Sequence, residues 1–276
     1  MSRLVAEWAI RAYVAGAAVG VAAPVIGSFL VQRRLSLIGD GMGHLAFAGV
    51  GLGVVLGVSP VWGALVVAVL GGFLLEWLRS RGRLASDLSL GLIFYFGIAL
   101  GVVALSAAGK FDLSAMGVLF GDPLVTTTQQ VAGIVALCAL VVGATALFYK
   151  ELLAVALDEE TARASGLPVG PLNIALLMLT ALLVAAGMRV VGLLLIAALI
   201  VVPVAAGSRL AHSFKGSMLW AVAAGVASVV VGLVVAIGEG SLSPGGTIVL
   251  ASVAAFLAAM IFGRGVAHRH PRGGAG

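Results

Sequence analysis

Long apolar runs separated by short polar breaks most constrain what this chain can fold into. Nine runs of bilayer-crossing length, roughly 17 to 25 residues, lie near residues 9–31, 37–57, 60–78, 88–108, 129–149, 171–187, 190–207, 217–237 and 246–263. The chain is 62% hydrophobic and 10% charged, whereas soluble domains average about 25% charged residues. These features predict an all-α polytopic membrane protein, a single transmembrane domain over residues 1–276 built as a bundle of eight or nine spans.

The number of spans and the side of the N-terminus are linked. The Val58-Ser59-Pro60 turn and the Gly187-Met188-Arg189 break could each lie within a broken or re-entrant helix, so eight spans are the alternative to nine. With nine spans and the N-terminus outside, twelve of the 16 Lys and Arg residues face the inner side, as the positive-inside rule requires. An eight-span chain without the first crossing keeps this arrangement with the N-terminus inside. The basic residues therefore indicate membrane orientation rather than binding of nucleic acid.

Two ionisable residues stand at the start of the second apolar run, in the stretch LSLIGDGMGHLAFAGVGLG. Asp40 and His44 are four positions apart, so a helix projects both from one face, one turn apart. An aspartate within a span costs about 2.5 to 3.5 kcal/mol, and such residues usually face a cavity and serve function. Carboxylate and imidazole together suit zinc, manganese or iron(II). In the structural alternative, Asp40 caps the helix and His44 bonds a backbone carbonyl.

Other residues in the apolar runs bear on packing and movement. Gly49, Gly53 and Gly57 form a small-xxx-small stripe, which predicts close packing of their helix against a neighbour. Pro203 lies near the end of the 190–207 run and predicts a kink or an unwound turn. Such a kink can serve a moving gate, although it can equally be architectural.

The connection between residues 149 and 170 is the most informative loop. Its DEETARAS segment (158–165) predicts about two turns of charged surface helix, closed by Gly166 and Pro168. The orientation above places this segment in the cytoplasm. A short charged helix there suits a partner protein, and the alternative is an ordinary solvated connector.

The chain contains no G-x-x-x-x-G-K-[ST] phosphate loop, so it does not hydrolyse ATP by that route. Three hypotheses follow: a metal permease powered by a partner ATPase, an ion-coupled carrier that works alone, and an intramembrane aspartyl hydrolase. The hydrolase would need Asp40 and Asp122 as its carboxylate pair. Asp122 falls in a predicted outer loop, and neither aspartate has a Gly-x-Gly-Asp setting.

Five segments carry a family resemblance, in the order LSLIGDGMGHLAFAGVGLG, LFGDPL, EETARASGLP, VGLLLIAALIVVPVAA and SLSPGGTIVL. In that order they resemble segments of bacterial zinc and manganese ABC-importer permeases, the ZnuB-like group also called the ABC-3 family. The resemblance covers residues 12–263 approximately. The number and order of the segments make it specific.

The resemblance implies a multi-pass subunit of the bacterial inner membrane, normally a homodimer in lipid, with no enzyme activity of its own. It implies cytoplasmic ABC ATPase subunits and an extracytoplasmic metal-binding protein as partners. No permanent cofactor is expected, because zinc, manganese or iron is the transported substrate. The polar pair of the second span is a cation contact in the family, and it matches Asp40 and His44.

The cytoplasmic loop of the family resembles a coupling helix that fits into a groove on the ATPase. Its acidic-Ala-Gly pattern matches Glu159, Glu160, Ala162 and Gly166. We expect changes of Glu159, Glu160 or Arg163 to uncouple transport by weakening contact with the ATPase.

The stretch between Asp40 and His44 departs from the family pattern, which commonly reads Asp-Ala-hydrophobic-Ser-His. Here Gly41, Met42 and Gly43 intervene, and each glycine weakens a helix by about 1 kcal/mol relative to alanine. We therefore expect a looser or partly unwound turn between the two ionisable residues. The metal is not specified, because aspartate and histidine bind zinc, manganese and iron(II) alike.

Overall fold

The computed structural model describes residues 2–80, 86–109, 127–188, 192–239 and 242–267, with the single positions 117 and 121. Within them, the regular elements are α-helices. They are α1 (Ser2–Gln32), α2 (Ile38–Val55), α3 (Pro60–Ser80), α4 (Ser86–Ala107), α5 (Thr128–Leu147), α6 (Tyr149–Leu157), α7 (Glu159–Ala164), α8 (Val169–Gly187), α9 (Leu193–Leu210), α10 (Phe214–Glu239) and α11 (Pro244–Ala267). Asp122 and most of the LFGDPL segment lie outside the described residues.

Eight of the described helices are long and apolar enough to cross a membrane, namely α1 to α5, α8, α10 and α11. The remaining apolar run forms α9, whose 18 residues rise about 27 Å. That length is slightly below the roughly 30 Å of a hydrocarbon core. The fold class predicted from the apolar runs, an all-helical bundle of eight or nine spans, is therefore confirmed.

Contacts between distant segments show the direction of α9. Arg33, just after α1, forms an ion pair of 3.0 Å with Glu159. The Nζ atom of Lys215, near the start of α10, lies 5.4 Å from the centre of the Tyr149 ring in α6. The starts of α2, α8 and α10 therefore share one end of the bundle, called here the Glu159 end. Since α8 leaves this end and α10 starts from it, α9 returns the chain to this end, so the described helices cross the bundle nine times.

The interior of the bundle is formed around α1, α2 and α8. Helix α1 contacts α5, α8, α9 and α10, while α2 packs against α3, α4, α8 and α9. The outer faces of α4 and α11 are apolar yet exposed, as at Tyr95 (72% exposed), Leu250 (71%) and Phe262 (73%). Apolar surface of this extent indicates contact with lipid or with another subunit.

Glycine sets the approach of α2 to its neighbours. Gly49 of α2 and Gly63 of α3 face each other so closely that a Cβ atom on either would overlap the carbonyl oxygen of the other. Gly53 is also close to α3, since a Cβ there would lie 3.3 Å from the Cα of Pro60. These contacts are the tight crossing that the small-residue stripe predicts.

Gly57 differs from the other two glycines of the stripe. It lies beyond the end of α2 with φ of 69°, and a Cβ at this position would have no neighbour within 4 Å. The Val58 N–H donates to the carbonyl of Gly53 at 2.8 Å across this turn. Gly57 therefore closes α2 in a left-handed turn, where glycine is favoured, and does not extend the packing surface.

Candidate functional site

Helix α2 is continuous through Gly41 and Gly43, so the expected loose turn between Asp40 and His44 is not present. Packing accounts for the difference. A Cβ at Gly43 would lie 3.3 Å from the carbonyl oxygen of Leu193, because α9 passes close to this part of α2. Tertiary contact of this kind overrides a low helix propensity. The two ionisable residues consequently stand one turn apart, separated by about 6 Å along the helix axis.

Asp40 lies in the first turn of α2 and is half-buried. The N-cap position belongs to Leu37, where no side chain bonds the free N–H groups, so Asp40 is not the cap. Among the described residues, no hydrogen bond or ion pair involves its carboxylate.

His44 is positioned by α4. Its ring lies edge-on to Phe94, with 4.1 Å between ring centres and an angle of 70° between the planes. Gly97 of α4 packs on the His44 backbone, where a Cβ would lie 2.7 Å from the His44 carbonyl oxygen. In the described part of the chain, neither ring nitrogen has a hydrogen-bond partner. An imidazole with free nitrogens can bind a metal ion or carry a proton.

Asp40 and His44 are two potential ligands without a third. The described ranges contain no group of three or more His, Cys, Asp or Glu residues that could hold a metal ion. Zinc sites have four ligands, and manganese sites usually have six. The pair can therefore form only part of a metal site and needs further ligands.

The segment predicted to be a surface helix is α7. The Asp158 carboxylate caps it by accepting the N–H groups of Glu160 and Thr161, each at 3.0 Å, and the Thr161 hydroxyl at 2.7 Å. These bonds, led by that of the Thr161 N–H, hold the pKa of Asp158 below its usual value. Gly166, with φ of 83°, ends the helix while Leu167 N–H donates to the Ala162 carbonyl at 3.1 Å. The segment is thus stabilised largely by its own bonds.

The two faces of α7 differ in exposure. Ala162 is buried at 3% exposure, whereas Glu160 is exposed and the Arg163 side chain is 70% exposed. The Glu159 side chain is intermediate in exposure, at 35%, and its carboxylate accepts hydrogen bonds from both Arg33 and Arg163. The helix therefore presents charge outward from the Glu159 end of the bundle.

Arg33 is a residue that the sequence reasoning missed as part of a site. It follows a long apolar run together with Arg34, and this position indicated only an orientation signal. Its partner Glu159 is 126 residues away in the chain. No local pattern predicts such a pairing.

Pro203 lies buried inside α9, which continues on both sides of it. Since proline has no N–H, the carbonyl of Leu199 loses its helical partner. The helix does not end there, so any role of Pro203 in gating stays a prediction.

Comparison with known proteins connects this geometry to a family. The ABC 3 transport family matches residues 6–263. The manganese transport system membrane protein MntC of Listeria innocua is 28% identical, over 91% of this chain and 89% of the relative. The high-affinity zinc uptake system membrane protein ZnuB of Haemophilus influenzae is 30% identical, over 76% of this chain and 80% of the relative.

A solved structure, PsaBC from Streptococcus pneumoniae in complex with Fab, has the same fold, with a TM-score of 0.82 and 28% identity. The match covers 91% of this chain and 90% of that one. The resemblance seen in the five sequence segments is therefore confirmed. This chain belongs to the ABC-3 family of metal-transport permeases.

Proposed function

We propose that this chain is the membrane-spanning permease subunit of an ATP-driven importer for divalent transition-metal ions. The observation that carries the proposal is the Asp40–His44 pair, which projects from one face of α2 with no protein partner among the described residues. Relatives in the family are named for manganese and zinc transport. A carboxylate and an imidazole are suitable ligands for both ions and for iron(II).

The working unit is a homodimer in which the metal site is completed between two chains. Each chain supplies two donors, so a two-fold axis beside α2 brings together two carboxylates and two imidazoles. Their charge of about −2 balances a divalent ion, and four ligands satisfy tetrahedral zinc while added water completes a manganese site. The metal ion is the substrate and leaves the site in each cycle.

The energy comes from cytoplasmic ABC ATPase subunits. Helix α7, with Glu159, Glu160, Ala162 and Arg163 and closed by Gly166, is the docking element, because it is preformed and presents charge outward. The Glu159 end then faces the cytoplasm of a bacterial cell, in agreement with the bias of basic residues. An extracytoplasmic metal-binding protein delivers the ion to the opposite end.

Alternating access needs a helix that can change shape beside the metal pair. Helix α9 contacts α2 at Gly39 and Gly43 and contains Pro203, whose missing hydrogen bond makes bending easier. We assign the gating movement to α9. The residues Gly49 and Gly53 hold α2 firmly on α3 while that movement takes place.

The proposal is tested with the complete complex in proteoliposomes, by measuring uptake of zinc, manganese and iron with and without ATP. Asp40→Asn and His44→Gln are expected to abolish uptake while leaving membrane insertion intact. His212→Gln is the matched control, because His212 is exposed in the turn between α9 and α10. Its uptake is expected to equal that of the unchanged protein.

Three outcomes discriminate between the functions. If the unchanged complex moves none of the three metals in an ATP-dependent way, the proposal fails. If both α2 variants transport normally, Asp40 and His44 have no metal role. Uptake by the isolated chain under a proton or sodium gradient, without the ATPase, would identify a stand-alone carrier instead.

A further inference from the structure

The five-residue turn between α1 and α2 separates two neighbouring arginines. Arg34 has a left-handed backbone with φ of 59°, a conformation that is uncommon for residues other than glycine. Its N–H donates to the Val31 carbonyl at 3.0 Å, and Leu35 N–H donates to the Leu30 carbonyl at 2.8 Å. This pair of bonds is a Schellman motif. The turn exposes Arg34 and buries Arg33.

The buried arginine is tied to α7. Arg33 Nη2 donates to Glu159 Oε2 at 3.0 Å, and only 7% of the Arg33 side chain is exposed. The other carboxylate oxygen of Glu159 accepts from Arg163, on the outer face of α7, at 3.3 Å. A guanidinium stays charged in proteins, and a buried charge is very unfavourable without its partner. Arg33 and Glu159 therefore resist separation.

Arg33 also lines a narrow cavity that reaches the start of α2. The cavity is shared with Ile38 of α2, Glu76 of α3 and Asn173 of α8. Asn173 Nδ2 donates to Glu76 Oε1 at 3.1 Å, and these two residues are only 3% and 6% exposed. The cavity thus places Arg33, the partner of Glu159 in α7, beside residues of α2, α3 and α8. The α2 residue, Ile38, is two residues before Asp40.

We propose that Arg33 is a positioning residue that transmits movement of α7 to the start of α2 and so to Asp40. The inference rests on the proposed function, since it supplies the link between the docking element for the ATPase and the metal pair. Helix α7 is held by its own cap and turn, so a partner displaces it as a unit. The ion pair makes Arg33 follow Glu159, and the short turn after Arg33 carries the displacement into α2.

The test measures metal ions transported per ATP hydrolysed by the complete complex in proteoliposomes. Arg33→Gln is expected to lower this ratio at least tenfold, while the complex still assembles and hydrolyses ATP. Arg33→Lys, which keeps the charge, is expected to restore at least a third of the ratio. A purely structural role would reduce assembly and leave the ratio of the remaining complex unchanged.

Arg34→Gln is the matched control, because Arg34 is the neighbouring residue of the same charge and is exposed. Its ratio is expected to stay within twofold of the unchanged protein. Glu159→Gln provides a second route if Arg33→Gln does not assemble. It is expected to uncouple to the same extent, and the double variant Arg33→Gln with Glu159→Gln is expected to be no worse than either single change.

The outcomes separate this inference from the function on which it rests. If the unchanged complex moves no metal, the proposed function falls, and the inference falls with it. If the unchanged complex transports and Arg33→Gln, or Glu159→Gln in its place, keeps the normal ratio, the inference alone is overturned. Additive losses in the double variant also overturn it, because residues that act through one ion pair do not add.

Discussion

Two charged segments of this molecule contrast in how their polar groups are satisfied. In the segment from Asp158 to Gly166, the cap, the ion pairs of Glu159 and the turn at Gly166 give most polar groups a partner. At the start of α2, the side chains of Asp40 and His44 have no hydrogen-bond partner among the described residues. The first segment lies where water is available, and the second lies within a span.

This contrast distinguishes polar groups that stabilise a local structure from polar groups that are available to bind a ligand. Polar groups that bond one another fix a local structure, which here is the short helix α7. Polar groups left without partners in an apolar bundle are costly, so they indicate a ligand that supplies the missing contacts. The following predictions challenge this distinction, starting with the largest expected effect.

The strongest challenge concerns the two residues of α2 as a unit. Asp40→Asn and His44→Gln are each expected to lower the initial rate of zinc uptake at least about 100-fold, because in the proposed function either change removes a ligand of one ion. The double variant is expected to be no slower than the slower single variant. The rates are measured in proteoliposomes with the complete complex, and losses that multiply would show that the residues act separately.

A second prediction concerns the positioning of His44 by α4. Gly97→Ala places a methyl group against the His44 carbonyl and should cost about 1 to 3 kcal/mol of stability through overpacking, together with roughly tenfold slower uptake. Gly91→Ala, in the same helix, is the control because a Cβ there has no neighbour within 4 Å. Thermal unfolding and uptake are measured for both variants. Equal stability and equal uptake rates would show that α4 does not position His44.

A third prediction compares two glycines with left-handed backbones. Gly166→Ala and Gly57→Ala should each cost about 1 to 2 kcal/mol of backbone strain, since φ is 83° at Gly166 and 69° at Gly57. Only Gly166→Ala is expected to weaken binding of the ATPase, by several-fold, because Gly57 lies at the opposite end of the bundle. Binding is measured by co-purification at graded ATPase concentrations. Equal weakening by both changes would show that α7 is not the docking element.

The smallest effect is expected from pH acting on the cap of α7. Hydrogen bonds hold the pKa of Asp158 below its ordinary value of 3.8, so the ionised cap stabilises α7 at higher pH. This stabilisation is lost as pH falls through the lowered pKa. Exchange of the Thr161 amide hydrogen, corrected for its intrinsic rate, should stay constant between about pH 5 and 8 and rise only in stronger acid.

Asp158→Asn provides the control for the pH prediction. It cannot change charge, so the exchange of the Thr161 amide should lose its dependence on pH. A rise in exchange near neutral pH in the unchanged protein would contradict the assignment of Asp158 as the group that titrates.

The sequence predicts most of the architecture because each span is marked by its own continuous run of apolar residues. The 37–57 run forms α2 over Ile38–Val55, and DEETARAS forms the capped helix α7. The same local information yields the one-turn spacing of Asp40 and His44.

The remaining features depend on which helices meet, and no local pattern contains that information. Gly41 and Gly43 suggested an unwound turn, but close contact with α9 keeps α2 helical. Gly57 continues the four-residue spacing of Gly49 and Gly53, yet it lies two residues beyond the end of α2. Arg33 could not be assigned to the cytoplasmic segment because Glu159 is 126 residues away.

That long separation also gives Arg33 two successive tasks during synthesis. Ribosomes add about 5 to 20 residues per second, so on the order of ten seconds pass between the appearance of Arg33 and that of Glu159. During that interval α7 has not been synthesised, and a basic residue next to a span contributes to its orientation in the membrane. Once Glu159 has been synthesised, the Arg33 guanidinium can be buried in an ion pair with it. The residue that contributed to orientation then holds α7 to the folded bundle.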